Sequence, residues 1–93
     1  MNFYAVTYFY VADEETLSEV RPIHRAWLAE QLEAGRLLAS GPKVDTSGAL
    51  LIWKANSVED LAALLDHDPF DLAGCIGERV IEQWKPVFGP WSN

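Results

Sequence analysis

The chain has 93 residues, a formal net charge of −7, 49% hydrophobic residues and 23% charged residues. This length predicts one domain over residues 1–93, and the composition is typical of a globular protein rather than a disordered one. The acidic balance argues against nucleic acid and against an anionic membrane surface as partners, because both are bound through clustered lysine and arginine side chains.

The first strand of the fold is predicted at residues 3–11, FYAVTYFYV, where nearly every residue is aromatic or β-branched. Both faces of this strand are apolar, so both must be covered. The residues divide by alternation into one face with Phe3, Ala5, Thr7, Phe9 and Val11 and another with Tyr4, Val6, Tyr8 and Tyr10. The same N-terminal segment lacks a basic region and a cleavage site, so no secretory signal is expected.

The segment that follows predicts a helix that Pro22 divides. Thr16-x-x-Glu19 fits a capping box, whereas proline is poorly tolerated inside a helix. We therefore expect a short first turn in the capping-box segment, and then a main helix with Pro22 in its first turn. The main helix should end near Ala34, with Gly35 as its C-cap. An apolar stripe at helical spacing is formed by Ile23, Trp27, Leu28 and Leu32.

The remaining elements complete a ferredoxin-like pattern. Two strands are predicted at residues 36–42 and 49–55, a second helix opens at Ser57-x-x-Asp60, and a long last strand covers residues 75–88. The order β-α-β-β-α-β predicts an α+β fold, with a four-stranded antiparallel sheet and both helices on one face.

The apolar second face of the first strand predicts self-association. Packing that face against another copy would bury it, so we expect a homodimer whose sheets meet face to face. The C-terminal residues FGPWSN could dock on a neighbouring dimer through Trp91 and give a higher oligomer. No apolar run approaches the roughly 20 residues needed to span a bilayer, so no membrane partner is expected. The lone Cys75 excludes an internal disulfide and fits a cytoplasmic protein.

The acidic cluster Asp66-His67-Asp68 stands at the end of the second helix, where carboxylates are mildly unfavourable. Asp68 followed by Pro69 is a favoured helix start, so Asp68 could simply cap a last turn, PFDLAG, that ends at Gly74. A cap uses only one carboxylate oxygen, however, and the second oxygen is then available to a partner. The sequence leaves both interpretations open.

His24 is the natural partner for Asp68, because it lies in the first turn of the main helix beside the apolar stripe. An imidazole next to a carboxylate suits a general acid or base, but a histidine here could also be merely packed. His67 should be exposed, and consecutive side chains do not converge on one ion, so no metal site is expected. Cys75 is interpreted as a small apolar residue rather than a nucleophile.

Ser40-Gly41-Pro42 ends a strand and is interpreted either as a plain turn or as the polar rim of a pocket. No phosphate-binding glycine loop, zinc spacing or nucleophile elbow is present in the sequence. Kinase, dehydrogenase and covalent hydrolase functions are therefore excluded, and no cofactor is expected.

Three segments together resemble the YciI-like (YCII-related domain) family. They are an R-P-x-H helix start at residues 21–24, a G-R-L-L-x-x-G-P strand at 35–42 and a D-P-[FY]-x-x-A-G turn at 68–74. The resemblance covers nearly the whole chain and implies a dimeric α/β barrel. It also implies a cleft where His24 and Asp68 meet as a dyad, with Ser40 at the pocket edge. The segment KVDTSG is shorter than the insertion that some members carry, and because this loop could shape the pocket, the resemblance does not identify the substrate.

We therefore expect a cofactor-free acid–base enzyme, an isomerase or lyase, acting on a small enolisable or aromatic-derived molecule. His24 would move a proton and Asp68 would fix its tautomer. Ser40, Gly41 and Phe70 would bind the substrate. We expect aromatic side chains of the sheet to line the pocket, namely Tyr4, Tyr8, Phe9, Trp53 and Trp84.

Two alternatives to an enzyme remain open at the level of sequence. One is a non-catalytic small-ligand-binding or accessory dimeric module, and the other is a purely structural dimerisation domain. A solvent-reachable cleft at His24 would fit an enzyme or a ligand-binding module, whereas a sealed one would fit the structural role.

Overall fold

A computed structural model of the protein describes residues 1–92; Asn93, the end of the FGPWSN segment, lies outside the described residues. The elements are β1 (Asn2–Tyr10), α1 (Glu14–Glu33), β2 (Leu37–Pro42), β3 (Gly48–Ala55), α2 (Val58–Leu65), α3 (Pro69–Leu72) and β4 (Ile76–Trp84). The strands form one antiparallel sheet in the order β2-β3-β1-β4. The predicted ferredoxin-like fold is confirmed, and α3 is the short turn predicted after Asp68.

The sheet has one face covered by helices and one open face. Along β1 the side chains of Tyr4, Val6 and Tyr8 are buried under the helices, as alternation predicts. The odd-numbered residues of β1 face the other way, opposite outward residues of β3 and β4. This open face carries large apolar side chains, because Phe9, Leu50 and Trp84 all belong to it.

Helix α1 is continuous, so the expected break at Pro22 is wrong. The helix begins thirteen residues into the chain, with Asp13 as N-cap accepting a hydrogen bond from the Thr16 backbone N–H. Thr16 is therefore inside the helix and does not cap it. The reason is burial: Leu17 packs in the same buried stripe as His24 and Gln31, seven residues apart each time, and this alignment requires one helix. That burial offsets the hydrogen bond lost at the proline.

The apolar stripe expected on α1 is only half right. Trp27 and Leu28 pack against the core, but Ile23 and Leu32 are 62% and 56% exposed. Polar side chains take two of the three buried positions of α1 instead, since His24 and Gln31 are 6% and 5% exposed and join Leu17 there. Because α1 buries a histidine while it leaves an isoleucine exposed, hydrophobicity alone does not determine which of its side chains face the protein interior.

The main core lies between α2 and the covered face of the sheet. Leu61 and Leu65 of α2 pack with Trp53, Leu51 and Tyr4. A smaller cluster of Leu17, Phe70 and Cys75 lies under α1 and α3. No helix among residues 1–92 is long and apolar enough to cross a membrane.

Strand β4 ends at Trp84, four residues before the predicted end at Phe88. Pro86 explains the early end, because proline has no N–H to continue the ladder. The chain beyond the strand turns back so that the Trp91 ring meets the edge of the Trp84 ring, with centroids 6.4 Å apart. Within this chain, Trp91 therefore packs beside the open face.

Candidate active site

Asp68 is the centre of a buried polar cluster. Its side chain is fully buried, and its Oδ1 accepts the Phe70 backbone N–H at 2.8 Å, which caps α3. Its Oδ2 lies 2.8 Å from the Tyr8 hydroxyl and 3.2 Å from His24 Nε2. Asp68 is therefore more than a helix cap, because one oxygen caps α3 and the other contacts two side chains.

Three elements position this cluster. Pro69 in the first turn of α3 presets the backbone for the cap, and Gly74, with φ of 72°, lets the chain leave the turn toward β4. Tyr8 comes from the covered face of β1, and His24 from the buried stripe of α1. The cluster thus joins the main core to the smaller cluster.

The His24 ring is fixed from two sides. It stacks on Phe70, with ring centroids 3.9 Å apart and planes 21° apart, while Nε2 points at Asp68. Phe70 is in turn met edge-on by Tyr10 at 5.5 Å. A stack and a hydrogen bond together leave the imidazole little rotational freedom.

The second ring nitrogen of His24 points away from the carboxylate. Nδ1 makes no hydrogen bond within residues 1–92, and Trp53 Nε1 is the one fully buried side-chain atom there that lacks a partner. Nδ1 therefore keeps contact with solvent. A carboxylate accepts and cannot donate, so a hydrogen bond to the Asp68 carboxylate requires Nε2 to be the donor, and in the neutral imidazole Nδ1 then carries the lone pair.

Tyr8 is the member of the cluster that the sequence did not reveal. Burial raises the pKa of the Tyr8 phenol, and the charge and hydrogen bond of Asp68 raise it further. Tyr8 therefore stays protonated and donates to Oδ2. A tyrosine in an aromatic strand carries no signal of this role; only the period-2 alternation, which places it on the covered face with Tyr4 and Val6, could have pointed to it.

A cavity of about 230 Å³ opens beside His24. Its lining comes from β1, α1, β2, β3 and α3, and consists of Tyr10, Arg21, His24, Arg25, Leu28, Ser40, Gly41, Pro42, Ala49, Leu51 and Phe70. Ser40 reaches the cavity because it faces the same side of the sheet as its partner Leu51. The volume is below the roughly 300–1,000 Å³ of pockets for drug-sized ligands, so it fits a compact molecule.

The predicted site residues converge on this cavity. His24, Ser40, Gly41 and Phe70 line it, and Asp68 lies behind His24 without reaching it. Whether the first four contact a substrate stays a prediction. The sequence did not indicate the contributions of Tyr10, Arg21, Arg25, Leu28 and Leu51.

The prediction that aromatic side chains of the sheet line the pocket is wrong. Tyr4, Tyr8 and Trp53 are buried in the main core, so they do not line the cavity. Phe9 and Trp84 belong to the open face on the other side of the sheet. The period of a strand fixed which residues share a face, but the sequence did not tell where along that face a space remains.

Two further side chains behave as the sequence indicates. His67 is exposed. Cys75 is buried in the smaller cluster, and burial, followed by the charge of Asp68, raises the pKa of its thiol. Within residues 1–92, no three His, Cys, Asp or Glu side chains are grouped so as to hold a metal ion.

Comparison with known proteins gives one family and one structural likeness. The family model described as YCII-related domain matches residues 1–85. No curated protein matches the chain significantly. A similar solved structure is 5-chloro-2-hydroxyhydroquinone dehydrochlorinase (TftG) from Burkholderia phenoliruptrix AC1100, in complex with 2,5-dihydroxybenzoquinone. The two chains are 24% identical with a TM-score of 0.76, over 89% of this chain and 93% of that one, which shows a shared fold.

Proposed function

The chain belongs to the YCII-related domain family, and on that premise we propose that it is a small-molecule enzyme whose His24 acts as a general base in the 230 Å³ cavity. The observation that carries the proposal is the hydrogen-bond contact between the buried Asp68 carboxylate and a histidine that lines the cavity. One oxygen of a fully buried carboxylate holds Nε2 of His24, and the His24 side chain lines the cavity.

The chemistry follows from this arrangement. His24 Nδ1 removes a proton from a substrate O–H or from a C–H beside a carbonyl, and Asp68 stabilises the imidazolium that results. In a lyase the electron pair then expels a leaving group as an anion. In an isomerase His24 returns the same proton to a different atom. Neither course needs a covalent intermediate with the protein.

The remaining lining residues favour a compact ring-shaped substrate. Leu28, Leu51 and Phe70 supply apolar surface, and the Ser40 hydroxyl can donate to or accept from a substrate oxygen. Burial raises the pKa of the Tyr10 phenol, so this group remains a neutral donor at the cavity wall. A ring that carries oxygen substituents satisfies these groups, and the ligand of the similar structure, 2,5-dihydroxybenzoquinone, is such a ring.

Chloride release tests the proposal. The wild-type protein and His24→Gln are incubated with 5-chloro-2-hydroxyhydroquinone, the compound in the name of the similar enzyme. We expect release above the uncatalysed rate with the wild type, and a fall of at least about 100-fold in His24→Gln, because the base is lost. His67→Gln is the matched control, since His67 is the other histidine and is exposed.

The outcome that contradicts the proposal is a folded His24→Gln protein that keeps the wild-type rate. A second assay covers the isomerase course: enolisable aromatic ketones are followed for uptake of solvent deuterium in the same three proteins. If 2,5-dihydroxybenzoquinone binds but no compound reacts, the ligand-binding module becomes the better description. The purely structural role is disfavoured by the open cavity at His24.

The tautomer of His24 is measurable without a substrate. Imidazole nitrogen shifts in the NMR spectrum should report a proton on Nε2 and a bare Nδ1 in the wild type. Asp68→Asn should give a mixture of tautomers, because an amide can accept from or donate to the ring. A proton on Nδ1 in the wild-type protein would contradict the base assignment.

The protein is also proposed to form a homodimer through the open face of the sheet. Phe9, Leu50 and Trp84 are 37%, 48% and 40% exposed there, and burial of such a face is favourable. Sedimentation should therefore give a dimer at micromolar concentration, and Leu50→Lys should give a monomer. A wild-type monomer would contradict this.

A further inference from the structure

We propose that the substrate is an anion, held by Arg25 and Arg21 at the mouth of the cavity while its reacting atom faces His24. The inference rests on the proposed function, and it specifies the charge of the molecule that the site accepts. Arg25 is the principal anion-binding residue, and Arg21 is a secondary one.

The first observation is the charge of the cavity compared with that of the whole chain. The protein has 14 acidic and 7 basic residues. Two of the seven basic residues, Arg21 and Arg25, line the cavity, and no acidic residue of the described part of the chain, residues 1–92, does so. Asp68 is fully buried behind His24 and is already matched by three donors. A positive cavity in an acidic protein selects negative ligands, because it repels cations and attracts anions that the remaining surface repels.

The second observation is that the positive charge of Arg25 is not used inside the fold. Within residues 1–92, Arg25 makes no hydrogen bond and no ion pair, whereas Arg79 pairs with Asp66 and Asp71. Arg36 donates to Gln31 at 2.8 Å, and Lys43 lies over the Phe9 ring at 4.3 Å. Arg25 thus brings a guanidinium group to the cavity, and none of its five N–H donors has a partner within residues 1–92.

The third observation is the spacing of the two arginines. Residues 21 and 25 are four apart on one helix, which puts their side chains on the same face and makes their charges repel. Glu14 relieves this only in part, since its Oε1 lies 3.3 Å from Arg21 Nη2 on a solvent-exposed carboxylate. A carboxylate or phenolate between the two guanidinium groups would relieve it fully, with two charge-assisted hydrogen bonds.

The location of the pair also suits the reaction. The two arginines line both the cavity and an adjoining groove that reaches Glu14 and Leu17, so they stand where a ligand enters. Removal of a proton by His24 adds negative charge to the substrate. A fixed positive charge beside it stabilises that state, so the same residues that select an anion also favour its deprotonation.

A matched pair of probes tests the inference: benzoate and benzamide have nearly the same shape and differ in charge. Binding to the wild-type protein is measured by NMR titration at low ionic strength. We expect benzoate to bind about tenfold more tightly than benzamide, since hydrogen bonds to charged groups exceed neutral ones by about this factor. Arg25→Gln should weaken benzoate binding about tenfold and leave benzamide unchanged, and Arg21→Gln should weaken it less.

Two further variants sharpen the result. Lys54→Gln removes one positive charge from a separate groove and should leave benzoate binding unchanged. Glu14→Gln removes the ion pair between Glu14 and Arg21 and should tighten benzoate binding. Benzoate that binds no better than benzamide, or not at all, overturns the inference, as does an Arg25→Gln protein with wild-type affinity. These measurements need no proton transfer. An inactive protein with a clear benzoate preference would refute the His24 proposal alone, and turnover without that preference would refute the anion proposal alone.

Discussion

Helices α2 and α3 begin in the same way and differ in what their caps do next. Ser57 accepts the Asp60 backbone N–H at 3.1 Å, and Asp68 accepts the Phe70 backbone N–H at 2.8 Å. Within residues 1–92 the Ser57 hydroxyl makes no further hydrogen bond, whereas the second oxygen of Asp68 holds Tyr8 and His24. A cap satisfied by one oxygen is a structural feature. A buried carboxylate with one oxygen to spare organises other side chains, and this difference separates the two helix starts.

Replacement of Asp68 is expected to have the largest effect on stability. Asp68→Ala removes the cap and leaves the buried Tyr8 hydroxyl and His24 Nε2 without an acceptor, so the free energy of unfolding should fall by about 4 kcal/mol. Asp68→Ser keeps a capping oxygen and should recover about 1 kcal/mol of this. Urea unfolding measures both. If Asp68→Ser is as stable as the wild type, the second oxygen contributes nothing and the two caps are equivalent.

Tyr8→Phe is expected to have an intermediate effect, because Oδ2 loses one of two side-chain donors and keeps the other. The free energy of unfolding should fall by about 1–2 kcal/mol. Calorimetry at pH 7 provides the measurement. Tyr4→Phe is the matched control, since Tyr4 lies on the same strand face without contact to Asp68. Equal losses in the two variants would assign the effect to the strand rather than to the carboxylate.

The same variant changes how stability depends on pH. Burial raises the pKa of Tyr8 above its ordinary value of 10.0, so the folded protein binds this proton more tightly than the unfolded chain. Its contribution is complete below pH 10 and is lost as the pH rises further, by up to about 1.4 kcal/mol per pH unit. Tyr8→Phe should therefore show a shallower loss of stability between pH 10 and 11. Parallel pH curves would contradict this.

Changes at Ser57 are expected to have the smallest effects. Ser57→Ala should cost about 1 kcal/mol, the usual value of an N-cap. Ser57→Asp adds a second oxygen with no buried partner and should alter the free energy of unfolding by less than about 0.5 kcal/mol. Thermal denaturation of the three proteins is sufficient. A large stabilisation in Ser57→Asp would show that a spare oxygen matters even at an exposed cap.

The sequence predicted the order of the helices and strands, the ferredoxin-like fold and both members of the His24–Asp68 pair. The alternation of β1, the Ser57 cap and the Asp68-Pro69 turn are local patterns that predicted the structure correctly, whereas the capping box at Thr16 did not, because Asp13 caps α1. The break at Pro22 was wrong because burial of Leu17, a tertiary effect, outweighed the local preference of proline. The prediction that aromatic side chains of the sheet line the cavity was also wrong because of a tertiary effect. The space beside His24 depends on how α1 and α3 meet β2, which no single segment encodes.

The partners of Asp68 lie 44 and 60 residues earlier in the chain. Such separations mean that the base is assembled only when β1, α1 and α3 are all in place, since each contact closes a long loop. A local opening that frees α3 would disconnect His24 without unfolding the main core. The Phe70 amide, held by Oδ1 at 2.8 Å, is therefore a natural reporter: its hydrogen-exchange rate gives the fraction of molecules whose site is open.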